Sequence, residues 1–128
     1  MSIEIAVSYG ELIDKITILE IKNERIADAK KLENIQRELA ILTKAWLNSG
    51  VDINAAASER KALKNINEKL WDIEDEIRRR EATKSFDAEF VEVARSVYKF
   101  NDERSSVKRA INDRFGSNLV EEKSYQPY

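Results

Sequence analysis

The chain has 128 residues, 42% of them apolar and 36% charged, with 22 Lys and Arg against 24 Asp and Glu for a net charge of −2. That is enough for one core and too little for two, and the near-balanced charge offers no general attraction to nucleic acid or anionic lipid. The absence of Cys and His removes disulfides, thiolate metal sites, thiol nucleophiles and the commonest general base, so any chemistry falls to carboxylates, Lys, Arg, Tyr or Ser.

In chain order, Ile3, Ile5 and Val7 alternate with Ser2, Glu4 and Ala6, the two-residue period of a short β-strand. A lone strand needs a partner, either the C-terminal tail or a second subunit. The alternative is an extended arm over residues 1–7. Ser8 to Glu11 reads as a capping box: the Ser8 hydroxyl accepts the Glu11 amide while the Glu11 carboxylate reaches back. From there one seam runs in steps of four and three through Asp14, Ile18, Ile21, Arg25, Asp28, Leu32, Ile35, Leu39, Leu42 and Trp46. It predicts a single helix over residues 8–48, roughly 55–60 Å long at 1.5 Å per residue. Leu12, Ile16, Leu19 and Ile26 form a second apolar face, so the first half of that helix must be covered on more than one side.

Gly50 is placed to take a left-handed conformation and close this helix. A second helix is predicted over 55–81 on the seam Leu63, Ile66, Leu70, Ile73 and Ile77, antiparallel to the first across a short loop. A third is predicted over 86–115 on the seam Phe86, Phe90, Val93, Val97, Phe100, Arg104, Val107, Ile111 and Phe115. Ser85 or Asp87 would be its N-cap and Gly116 its stop. Residues 116–128 are a tail. The fold class is therefore all-α, one domain of three long helices, with a coiled-coil-like hairpin and a third helix beside it. A helix with two apolar faces and that length outruns what two shorter helices can cover, which predicts a homodimer.

The departures from the pattern are charges on apolar seams: Asp14, Arg25 and Asp28 on the first helix and Arg104 on the third. A buried charge left unpaired costs about 3–5 kcal/mol, so each must pair, reach solvent or bind something. One reading pairs Arg25 with Asp28 or Glu74 to fix register. The other brings Arg25 and Arg104 together, with Lys22 and Lys108 one step off the seams, to hold a small anion. Asp72 with Asp75, and Glu89 with Glu92, have the spacing of helical carboxylate metal sites, but Asp72, Asp75 and Glu92 lie off the seams. Neither a metal nor a cofactor is expected. The leading expectation is a non-enzymatic binding or assembly protein, with recognition of a protein partner through the tail as a further class. The N-terminal residues lack a basic region followed by an apolar run, and no apolar run approaches 18 residues, which predicts a soluble, cytoplasmic chain without membrane or nucleic-acid partners.

The segments Ser8 to Ile16, Leu70 to Asp75, Ala94 to Asp102 and Glu121 to Tyr125 resemble those of a small bacterial protein family of unknown function, a resemblance that spans nearly the whole chain and implies no reaction. Ile13-Asp14 followed by Arg25, and Phe86 to Val91, more faintly resemble the first and third helices of all-helical chorismate mutases. That resemblance implies an intertwined dimer and a dicarboxylate ligand. Against it, no arginine precedes Asp14, and Gln36 and Val107 stand where those enzymes carry a cation and a Gln or Glu.

Overall fold

The computed structural model describes residues 1–128 apart from the side chain of Ile53. Four α-helices form a bundle: α1 (Tyr9–Arg25), α2 (Ala29–Asn48), α3 (Ala57–Ala82) and α4 (Ala88–Arg114), with a 3₁₀ turn at Ile53–Ala56 leading into α3. The single helix predicted over 8–48 is two. Ile26 is extended at φ −86°, ψ 132°, and Asp28 is the N-cap of α2, its carboxylate accepting the Lys31 amide at 2.9 Å. Asp28 is therefore a capping residue exposed to solvent, not a charge on a buried seam.

The break folds α2 back along α1. Gln36 bonds Asn23 at 3.1 Å and Trp46 returns to Tyr9, so the pair is an antiparallel hairpin. α3 and α4 make the second antiparallel hairpin, fixed at its two ends by Glu59 with Arg114 and by Arg80 with Glu89. α3 lies against α1 and α4 and scarcely touches α2, its predicted partner. No long coiled coil remains, and the rod on which the homodimer argument rested is gone.

α1 is the central helix, packed against each of the other three. Its buried residues Ile13, Asp14, Ile16, Thr17, Leu19 and Ile21 cover more than half of its circumference, and the face through Glu11, Lys15 and Lys22 is left to solvent or half-buried. The two apolar faces are thus both covered, as the sequence requires, but within one subunit. Ile13, Ile16, Trp46, Ala56, Leu63 and Ile111 form the core, capped by a triad of rings in which Tyr9, Trp46 and Phe115 lie 5.7–5.9 Å apart between centroids.

The local signals hold where they are backbone signals. Ser8 caps α1 by accepting the Glu11 amide at 3.0 Å, Asp87 caps α4 through Phe90 at 3.0 Å, and Gly50 and Gly116 take φ of +79° and +63°. The second half of the predicted capping box differs, because the Glu11 carboxylate turns to Lys108. Among the described residues there is no strand: 1–7 form an extended arm with Ile3 90% and Ile5 77% exposed. The tail turns back at Gly116 and runs antiparallel along α4, with Glu121 on Lys108, Glu122 on Arg109 and Tyr128 on Asp102. Among the described residues no helix is long and apolar enough to cross a membrane.

A polar seam and a cleft between α1, α3 and α4

A line of polar contacts runs along α1 and α4 beside their apolar core residues. Gly10 donates its amide to Asn112 Oδ1 at 2.7 Å, Lys108 Nζ reaches Glu11 at 2.7 Å, and Arg104 grips Asp14 with Nε at 2.9 Å and Nη2 at 2.5 Å. These positions lie one turn apart on α4, so a single face of that helix presents all three groups. At Gly10 the helices come so close that a Cβ would sit 2.5 Å from the Lys108 carbonyl oxygen.

Asp14 is 1% exposed and is the hub. Its Oδ1 also accepts from Asn67 Nδ2 of α3 at 3.0 Å, and the same Asn67 amide donates to Thr17 Oγ1 at 3.0 Å. Four polar side chains from three helices are thus tied together, and the buried charge of Asp14 has its cation. The bond to Asp14, set against the desolvation that opposes it, raises the Arg104 pKa above the ordinary arginine value. For Lys108 burial pulls downward, yet the carboxylates of Glu11, Asp14 and Glu121 outweigh it and the pKa rises. Both cations stay charged.

Beside this hub a cleft of about 430 Å³ opens between α1, α3 and α4. Ile18, Ile21, Leu70, Trp71 and Val97 form its apolar walls, and Arg104, Asn67 and Asn101 bring polar groups to it. Glu74 and Asp75 stand on its α3 side, both exposed. Arg104 Nη1 has no hydrogen-bond partner among the described residues, and neither has Asp75 an ion pair. Glu74 meets only the exposed Arg78, at 3.6 Å.

Of the residues singled out in the sequence, Asp14, Arg104 and Lys108 come together on the α1–α4 seam. Arg25 does not join them: it ends α1 paired with Asp72 at 2.6 Å and Glu68 at 3.9 Å, its guanidinium 5.8 Å from the Trp71 ring centroid. Its partners are neither Asp28 nor Glu74, the two expected. Lys22 is half-buried near the end of α1 and Asp28 caps α2, both away from the cleft lining. Three of the four acids with metal-like spacing are spent on arginines, Asp72 on Arg25, Glu89 on Arg80 and Glu92 on Arg95, and among the described residues no three carboxylates gather as a metal site. Asn67, Trp71 and Asn101 are the cleft residues that the seam charges did not announce. Asn67 had a signal, since it lies four residues after Leu63 and three before Leu70, on the apolar seam itself.

The model of a family of unknown function, DUF6165, matches residues 1–128. The chain belongs to this family. No curated protein and no solved structure matches it, so nothing supports the fainter resemblance to chorismate mutases. DUF6165 membership brings no activity with it, and the site has to be read from its own chemistry.

Proposed function

We propose that this DUF6165 protein is a non-enzymatic binding module that holds a small ammonium-bearing molecule in the cleft between α1, α3 and α4. The observation that carries this reading is the charge balance of the cleft. Arg104, the cation lining it, is already neutralised by Asp14, and Arg25, which stands over the Trp71 ring, is neutralised by Asp72 and Glu68, which leaves the exposed Glu74 and Asp75 as the surplus charge. An ammonium group next to two carboxylates gains Coulombic attraction. The free Nη1 of Arg104 then suits a hydrogen-bond acceptor at the other end of the ligand, as a carboxylate or carbonyl provides. This departs from the small anion expected of an Arg25 and Arg104 pair.

Binding rather than turnover is favoured by the ionisation pattern. Ion-pair partners raise the pKa values of Arg25, Lys64, Arg104 and Lys108 and lower that of Glu59, so these groups are held more firmly in their charged forms. General acid–base catalysis works best with a group that exchanges its proton near the working pH. None of these five groups is moved toward that range.

Calorimetric titration with lysine, arginine, putrescine and spermidine tests the proposal, alongside succinate as a purely anionic probe. Saturable binding of an amine, lost in Glu74→Gln/Asp75→Asn with the melting temperature unchanged, is the expected result. Binding of succinate alone, or of no amine, overturns it.

The homodimer is a second reading, favoured by the open apolar arm at Ile3 and Ile5. Sedimentation of the full chain should then show a dimer that Ile3→Ser/Ile5→Ser converts to monomer. A monomeric wild-type chain at micromolar concentration removes this reading.

A further inference from the structure

We propose that the cleft between α4 and the C-terminal tail is a binding site for a neutral saccharide. Its existence follows from slack in the chain. The tail is tied to α4 by Glu122 on Arg109 at 3.2 Å and by the Tyr128 hydroxyl on Asp102 at 2.8 Å. The six residue steps between those ties can span about 20 Å when extended, whereas the helix from Arg109 back to Asp102 rises only about 10 Å. The surplus bows away from the helix and leaves a space of about 530 Å³. That lies within the range of about 300–1,000 Å³ common to small-molecule sites.

The lining chemistry names the class. Tyr98, Tyr125 and Tyr128 contribute three aromatic rings, two of which, Tyr98 and Tyr128, meet edge to face at 5.0 Å. Aromatic faces take the C–H-rich side of a pyranose ring. Around them stand the amides of Asn101 and Gln126, which make no hydrogen bond among the described residues, and Asp102, whose Oδ2 holds Tyr128 while Oδ1 is free. The amides donate to and accept from neighbouring hydroxyls and the carboxylate accepts from them, the pattern a sugar presents.

The charge excludes the obvious competitor, an aromatic cage for a cation. Lys123 already stands over the Tyr125 ring at 5.3 Å from its centroid, and it balances Asp102 within the same cleft. A second cation would meet that ammonium. A neutral ligand meets no such opposition.

Saturation-transfer NMR on the full chain with methyl glycosides of glucose, galactose, mannose and N-acetylglucosamine tests the assignment, with tetramethylammonium as the cationic probe. At least one glycoside should receive saturation at its ring protons. The transfer should fall at least fivefold in Tyr98→Ala/Tyr125→Ala, two exposed positions, while the circular-dichroism melt is retained. It should survive in Glu74→Gln/Asp75→Asn, which separates this site from the α1–α3–α4 cleft. Absence of transfer to all four glycosides, transfer undiminished by the tyrosine substitutions, or binding of tetramethylammonium in their place overturns the proposal. Should Tyr98→Ala/Tyr125→Ala not fold, Gln126→Ala alone should lower the transfer at least twofold, and an unchanged signal there counts equally against it.

Discussion

Gly10→Ala separates helix propensity from helix packing, because the two predict opposite signs. In an isolated helix the substitution stabilises by about 1 kcal/mol. Here the added Cβ falls 2.5 Å from the Lys108 carbonyl oxygen and 2.9 Å from Asn112 Oδ1, and the first of these is backbone that cannot rotate aside. To reach ordinary contact at 3.4 Å, α1 must retreat from α4 by about 0.9 Å. The Gly10 to Asn112 bond, now 2.7 Å, then stretches beyond hydrogen-bonding distance. Overpacking of this kind costs about 1–3 kcal/mol and the lost bond about 0.5–1.5 kcal/mol. Net of the propensity gain, the variant should be less stable by about 0.5–3.5 kcal/mol, a fall in melting temperature of roughly 2–13 °C for a chain of this length. Thermal unfolding followed by Trp fluorescence measures it directly, since Trp46 belongs to the ring cluster at the same end of the α1–α4 contact. A variant that melts at or above the wild-type temperature refutes the close approach and with it the register of the whole polar seam.

Arg104→Met leaves the Asp14 carboxylate buried without its cation and should cost about 3–5 kcal/mol in urea denaturation. Asp14→Asn/Arg104→Met should recover part of that loss, and a double variant no more stable than Arg104→Met refutes the pairing. The raised pKa of Lys108 fixes a sign for alkaline pH. The folded state holds this proton more tightly than the unfolded chain, so the contribution is complete below the ordinary lysine value of about 10.4 and is lost as pH rises through the folded value. Melting temperature should therefore decline above about pH 10, and Lys108→Met should decline less steeply over the same range; parallel curves count against the seam. Asp28→Ala removes the cap of α2 and should lower stability by about 1 kcal/mol in the same melts, whereas no change would mean that the break after α1 is not held by that side chain.

What could be read from the sequence divides by range. Caps and stops are decided within four residues, so Ser8, Asp87, Gly50 and Gly116 were legible. The demand that α1 be covered on several sides was legible too, because it follows from the residues of one helix alone. The break at Ile26 to Asp28 was not. No Gly or Pro marks it, Ile26 continues an apolar face, and Asp28 keeps the seam spacing. The capping box that would have announced a new start needs Glu or Gln at position 31, where Lys31 stands. The break is decided by contacts far along the chain: Arg25 on Asp72, Glu24 on Lys64, and the burial of Trp46 against Tyr9 and Phe115. The partner of Arg104 lies 90 positions away, and one sequence carries no signal for so distant a pairing.

The two readings of that arginine, structural and ligand-binding, divide over its guanidinium. Nε and Nη2 hold Asp14, and through Asp14 they hold Asn67, so α1, α3 and α4 are locked in one register. Apolar contacts alone are non-directional and would leave α1 free to rotate or slide among its three neighbours. Directional bonds to Asp14 and Thr17 remove that freedom. Nη1 is the part left over, on a side chain that lines the cleft. An arginine can serve both ends at once because its five donors lie in a rigid plane; a lysine, with one nitrogen, would have to give up one. Arg104→Lys should therefore retain most of the bundle's stability and still weaken whatever the cleft binds, and this asymmetry between melting and titration distinguishes the double role from either role alone.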